Sequence, residues 1–378
     1  MKRSTERILT THTGSLPRPA DLLAMVRARA NGETVDDAQF ATRVTSAVRE
    51  TVQKQVDAGI DVVSDGEMGK PSFATYVTDR LTGLGGVNTD PRPFKEQPDF
   101  PGWAETIPAV VMIRRFCQGP LAYQNADALQ ADLDNFTSAL AATGALEGFM
   151  PTASLGIVAD IMVNQHYPSE EAYLYALADA MRTEYRAIAD AGLVIQIDAP
   201  DAAMGRHGQF RDESLETFRR ATAQRVEALN HALQGIPEEQ IRYHICWGNY
   251  EGPHIYDVAL ADVVDLLLAV NAGAYSVEAA NPRHAHEWQV WEKVKLPEGK
   301  VLIPGVIDST TNFVEHPEVV ALRIEQFARI VGKENVIAGT DCGFGTSAGR
   351  SAVHPELVWP KLAALAAGAK LASERLWN

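Results

Sequence analysis

One local pattern recurs along the chain and narrows what it can fold into. "VDAGIDVVSDGE" (56–67), "ADAGLVIQIDAP" (189–200) and "VNAGAYSVEAA" (270–280) share a layout. A helical stretch runs into Ala-Gly, a short apolar run follows, and an acidic residue stands at or near its end. Glycine there suits the left-handed residue that closes a helix. The apolar runs are too short for helices and too uniformly apolar for half-exposed antiparallel strands, so they predict buried parallel strands.

Five further segments extend the series: "RILTTHTGSLP" near the start, then "GFMPTASLG", "RYHICWG", "VLIPGVID" and "NVIAGTDCG". Amphipathic stretches such as "SEEAYLYALADAMRTEYRAIAD", "DVALADVVDLLLAVN" and "HPEVVALRIEQFARIVGKE" lie between most of the eight runs. Eight strand–helix units in series predict an α/β fold of the (β/α)8, or TIM, barrel type. A doubly wound sheet is the alternative, but no G-x-G-x-x-G turn follows the first strand.

Such a barrel needs about 250 residues, and the chain has 378. Most of the surplus falls between the second and third strands, residues 71–148, around the turn-rich patch "NTDPRPFKEQPDFPGW". The expectation is a single barrel domain over 1–378, with 71–148 as an insertion over its mouth. The formal net charge of −15 disfavours nucleic acid and anionic membrane as partners. No apolar run approaches the roughly 20 residues of a membrane span, and the N-terminus lacks the apolar stretch of a signal peptide, which predicts a cytoplasmic protein. The three cysteines, Cys117, Cys246 and Cys342, lie too far apart for a disulfide framework and read as free thiols or metal ligands.

Chemistry in such barrels sits at the C-terminal ends of the strands. That edge collects Thr13 and Ser15, then Asp65 and Glu67, Asp198, His244 and Cys246, Glu278, Asp308, and Asp341 with Cys342. Positions two apart on a strand share a face, so His244 and Cys246 project together. With Cys342 and Glu278 on the same rim, two thiols, an imidazole and a carboxylate make a tetrahedral zinc set. Against this, a lone His-x-Cys is a weak signal, and buried free cysteines are common as small apolar residues. Cys117 in "IRRFCQG" has no polar company and reads as structural.

"TTHTGSLPRP", "VVSDGE", "VIQIDAP", "HIC", "SVEAA" and "GTDCGFG", in that order, resemble the C-terminal catalytic barrel of cobalamin-independent methionine synthase. The likeness runs through nearly the whole chain and is nearer to the single-barrel relatives, which include epoxyalkane:coenzyme M transferase. It implies Zn2+ held by His244, Cys246, Glu278 and Cys342. It further implies that Thr13, Ser15, Glu67 and Asp198 meet the amino-acid part of homocysteine, with Glu67, Asp198 and Asp308 in catalytic roles. The implied reaction is methyl or alkyl transfer to a thiol activated as a zinc thiolate. Epoxide opening by coenzyme M is the alternative.

Two departures bear on the donor. Thr310 stands where the synthase has a proton-donating histidine, and Ile157 lies near the place of a folate-packing tryptophan. A folate, a small methylated metabolite, a methyl-corrinoid protein and an epoxide all stay open as donors, as does assembly into a homo-oligomer. For an epoxide the product alkoxide needs a proton, for which Tyr250, His254 or His12 is a candidate. For the sulfonate of coenzyme M, a basic group among Arg18, Lys70, Arg114 and Arg115 would have to reach the mouth, although such residues are more often solvated surface charges. A non-catalytic zinc scaffold is the remaining class; structural zinc usually draws closely spaced ligand pairs from turns.

Overall fold

The computed structural model describes residues 1–90, 93–106, 114–349 and 351–378. All eight apolar runs become parallel strands: β1 (Leu9–Thr10), β2 (Val62–Val63), β3 (Glu147–Ala153), β4 (Val194–Asp198), β5 (Ile241–His244), β6 (Ala274–Val277), β7 (Val301–Ile307) and β8 (Ile337–Thr340). Hydrogen bonding runs β1-β8-β7-β6-β5-β4-β3-β2, and the parallel bridge Thr11–Val62 joins the two ends. The sheet is thus a TIM barrel wrapped by helices.

The punctuation works locally for two reasons. After the helices Asp37–Asp57 and Glu170–Asp190, Gly59 and Gly192 take φ of 86° and 77°, where other residues are strained. Gly273 differs, since its φ is not positive. A side chain there would come within 2.6 Å of the Glu238 carbonyl, so close backbone approach explains that glycine.

The helix expected over "DVALADVVDLLLAVN" shrinks to Leu260–Asp262, a 3-10 turn, and Val264–Leu268. The Leu260 N–H donates to the buried Glu287 carboxylate at 2.6 Å, which caps the start of this short segment.

Residues 71–148 include the 3-10 turn Thr75–Asp79 and the strands Leu84–Asn88 and Arg114–Cys117, and they end with the barrel helix Ala126–Ala141 and the start of β3. The two strands join Met162–Asn164 in a small separate sheet. Of the turn-rich patch, residues 91 and 92 lie outside the described residues. Asn88 belongs to the small sheet, and residues between 93 and 103 contact the loops after β4 and β5. Lys95 N–H donates to the His207 carbonyl at 3.0 Å, and Phe94 stacks on Tyr250 with ring centres 4.5 Å apart. Among the described residues no helix is long and apolar enough to cross a membrane.

Candidate metal centre and strand-end site

β5 ends at His244, and its alternation sends Arg242 and His244 to one face. Arg242 is buried, donates to Thr11 Oγ1 at 3.0 Å and to the His12 carbonyl at 3.1 Å, and lies over the Phe149 ring. His244 stands above it at the rim. Its Nδ1 lies 3.1 Å from Ser276 Oγ on β6, while its buried Nε2 has no hydrogen-bond partner. Burial, with Arg242 adding to it, holds the imidazole down to about 3, so it is neutral and its lone pair is available.

Ligand atoms of His244, Cys246 and Cys342 lie within 4.8 Å of one another, and all three residues are buried. The Cys246 thiol, followed by burial, pushes Cys342 well above the usual thiol range. Two crowded thiols beside an unpartnered imidazole nitrogen suit a soft cation such as zinc.

Glu278 is buried next to this group, but its oxygens are otherwise engaged. Oε1 accepts from the Trp247 N–H at 2.9 Å; Oε2 accepts from Asn281 Nδ2 at 2.7 Å and Arg283 Nη2 at 3.2 Å. Burial raises its carboxyl to about 7, against the pull of Arg283. The structure therefore brings three of the four expected ligands into one cluster and holds the fourth beside it.

Asp341 is the residue whose role the sequence did not disclose. Its carboxylate accepts from the backbone N–H groups of Ala279, Ala280 and Asn281 at 2.8–2.9 Å and from Asn281 Nδ2 at 2.8 Å. This pins the Glu278 loop to the residue preceding Cys342. Its only advance signal was an acidic side chain beside a rim cysteine.

Opposite, Glu67 adopts φ 57°, unusual for a non-glycine residue, and its buried Oε2 has no partner. Burial raises it to about 7, although Lys70 and Arg18 oppose the shift. Burial and the nearby Glu67 charge lift Asp198 well above the carboxylate range. Gln196 Nε2 donates to Asp198 Oδ1 at 2.8 Å and also to the Thr13 carbonyl. Ser15 Oγ accepts from the Gly345 N–H at 3.2 Å, and a side chain at Gly343 would collide with it. The Thr13 hydroxyl is engaged by Thr340 on β8. Asp308 Oδ1 accepts from Thr310 N–H at 2.6 Å and from its hydroxyl at 2.8 Å, closing the turn after β7.

Of the basic candidates, Arg18, Lys70 and Arg114 are buried and Arg115 is half-exposed. Arg18 donates to the Glu67 and Lys70 carbonyls at 2.7 Å, and Lys70 Nζ to the Pro151 carbonyl at 2.9 Å. Arg114 and Arg115 belong to the small sheet and bond the Asp90 and Gly86 carbonyls. His12 has both ring nitrogens engaged, by Gln55 Oε1 and the Gly14 N–H, and burial lowers it to about 4. Tyr250 donates to Glu96. Cys117 is buried in the small sheet, outside the thiol group.

Comparison with known proteins agrees with this architecture. A methionine synthase of Thermococcus kodakarensis is 27% identical over 337 residues, covering 88% of this chain and 86% of that protein. One from Saccharolobus solfataricus is 24% identical over 375 residues, covering 97% and 95%. The structure of a B12-independent methionine synthase from Shewanella sp. W3-18-1, in complex with selenomethionine, superposes with a TM-score of 0.73 at 22% identity over 98% of this chain and 99% of that one, which speaks for the fold. Residues 8–91 and 138–359, about four-fifths of the chain, match the family described as "Cobalamin-independent synthase, Catalytic domain", and the chain belongs to that family.

Proposed function

We propose that this chain transfers a methyl or larger alkyl group to the sulfur of a small amino-acid thiol of the homocysteine type, at a zinc ion held by His244, Cys246, Cys342 and Glu278. The observation that carries the reading is the meeting of one imidazole and two thiols, all buried, from β5 and β8 at the strand-end rim. The relatives' shared name, methionine synthase, supports it. Bound there, zinc supplies thiolate character to the acceptor at neutral pH, where a free thiol of pKa about 8.5 is mostly protonated.

The chain's own groups favour the acceptor's tail. Glu67 and Asp198 are buried carboxylates with too little compensating charge, and an ammonium group would satisfy both. Arg18 and Lys70 are spent on backbone carbonyls, which argues against a sulfonate. Ser15 and Thr13 line the same end of β1 and complete the acceptor side. On the donor side, Asp308 holds the Thr310 turn in place of a histidine, and Ile157 is buried in the core and offers no ring face. We read 71–148 as cover for the mouth within a single barrel domain, supported by the Phe94–Tyr250 stack.

Epoxide opening by coenzyme M is the second reading, favoured by this same rebuilt donor side. Incubating the zinc enzyme with homocysteine or coenzyme M against methyltetrahydrofolate, methylcobalamin and epoxypropane, with mass spectrometry of thioethers, tests both. Methionine or an S-alkyl homocysteine is expected. Product only from coenzyme M with epoxypropane would move the chain to the second reading, and no thioether from any pairing would exclude these donors for both acceptors.

A further inference from the structure

A second group of ligand-type side chains stands beside the mouth, and the alkyl transfer proposed above uses none of it. His207, His254 and Asp257 each offer a ligand atom, and these atoms lie within 4.8 Å of one another. His207 follows the 3-10 turn Met204–Arg206 beyond β4, and the other two come from the Gly-Pro loop beyond β5.

Hydrogen bonding determines what faces Asp257. His254 Nε2 lies 3.1 Å from the Tyr250 carbonyl, which only accepts, so Nε2 carries a proton. A neutral His254 then turns its Nδ1 lone pair toward both Asp257 oxygens, each at 3.1 Å. A lone pair and a carboxylate at that range repel, so a positive charge holds the pair together, either a second proton on Nδ1 or a metal ion. A backbone carbonyl on the remote nitrogen is also the usual outer partner of a metal-bound imidazole.

His207 gives the independent observation. It is fully buried at 0% exposure, its Nδ1 lies 3.2 Å from Asp257 Oδ1, and neither ring nitrogen makes a hydrogen bond. Leaving buried polar groups unpaired costs on the order of 1–3 kcal/mol each, so an imidazole placed this way lacks its partner. Ligand atoms around a tetrahedral ion with bonds near 2.0 Å stand about 3.3 Å apart. The spacings from Asp257 to His254 and His207, 3.1 and 3.2 Å, are close to that edge. Asp257 is braced from the other side by His284 Nε2 at 3.0 Å, whose Nδ1 lies 2.8 Å from Glu287.

We propose that His207, His254 and Asp257 bind a second divalent metal ion, of the class that accepts two imidazoles and one carboxylate: zinc, ferrous iron or manganese. The loop it would fix also carries Cys246. Arg283 reaches Glu278 Oε2 at 3.2 Å and Asp257 Oδ2 at 3.9 Å, so the two groups are neighbours through one guanidinium.

The test counts metal and is independent of any product assay. Full-length protein stripped with chelator is titrated separately with zinc chloride, ferrous sulfate and manganese chloride, and bound ions are counted by native mass spectrometry. With at least one of these metals the wild type should take two ions per chain, Cys342→Ser should keep one, and Cys342→Ser with His254→Ala should keep none. Anomalous diffraction from wild-type crystals soaked in each salt removes any dependence on variants that fold poorly. A peak between His207 Nδ1, His254 Nδ1 and Asp257 is expected. Absence of that peak with all three metals, while the cysteine site is filled by zinc, would overturn the proposal.

Discussion

His244 Nδ1 lies 3.1 Å from Ser276 Oγ, and this contact between neighbouring strands decides which imidazole nitrogen faces the thiols. An Nδ1 proton directed at the hydroxyl would leave the unpartnered Nε2 as a lone pair for the metal. Partners of this kind orient a ligand, and their loss commonly weakens metal binding about 10- to 100-fold. Ser276→Ala should therefore lower zinc affinity by about tenfold or more, read by chelator competition, with little change in folding. Unchanged affinity would mean that the hydroxyl does not orient the ring.

Asp341 should matter to stability as much as to the site. Its carboxylate collects three backbone N–H groups and the Asn281 amide, all buried. Asp341→Ala leaves those donors unpaired, which costs on the order of 3 kcal/mol. Urea denaturation should show that loss, and metal content should fall with it because Glu278 and Cys342 lose their common anchor. A variant of wild-type stability would show that water replaces the carboxylate.

Glu67 makes a pH-dependent prediction. The folded chain keeps its proton up to about pH 7, whereas an unfolded carboxyl releases it near 4.5. This group's contribution is greatest below pH 4.5, falls as pH rises toward 7, and is then constant, a loss on the order of 3 kcal/mol. Lys70 and Arg18 oppose the shift; Asp65 adds to it, and Asp198, itself raised, titrates in the same sense. Glu67→Gln should flatten part of this decline between pH 5 and 8 in urea midpoints. The same variant should raise KM for homocysteine more than it lowers kcat, because it removes charge facing the ammonium. A parallel pH profile and an unchanged KM would contradict both roles.

The sequence made the barrel legible because each strand announces itself in the same way: a closed helix, an apolar run and a polar end. His244, Cys246 and Cys342 were legible for the same reason, since position at a strand end fixes which rim a side chain reaches. Side-chain engagements were not. Arg18 and Lys70 read as solvated charges or sulfonate ligands, yet both fold inward onto backbone carbonyls of the rim loops. His12 read as a proton donor near the metal, yet Gln55 and Gly14 occupy both its nitrogens. The histidines of the second group sit in loops after different strands, and loops carry no periodicity from which their meeting could be foreseen. His254 follows Gly252-Pro253 within one such loop, where only its chemistry offered it as a proton donor.

The central claim is that the His244, Cys246 and Cys342 group receives a thiol acceptor, and the zinc K-edge tests it most directly. Enzyme loaded with one equivalent of zinc is measured by X-ray absorption fine structure before and after saturation with homocysteine. Two sulfur neighbours around zinc are expected in the free enzyme and three with homocysteine present. A sulfur count that stays at two on saturation, with homocysteine binding verified by calorimetry, would contradict it.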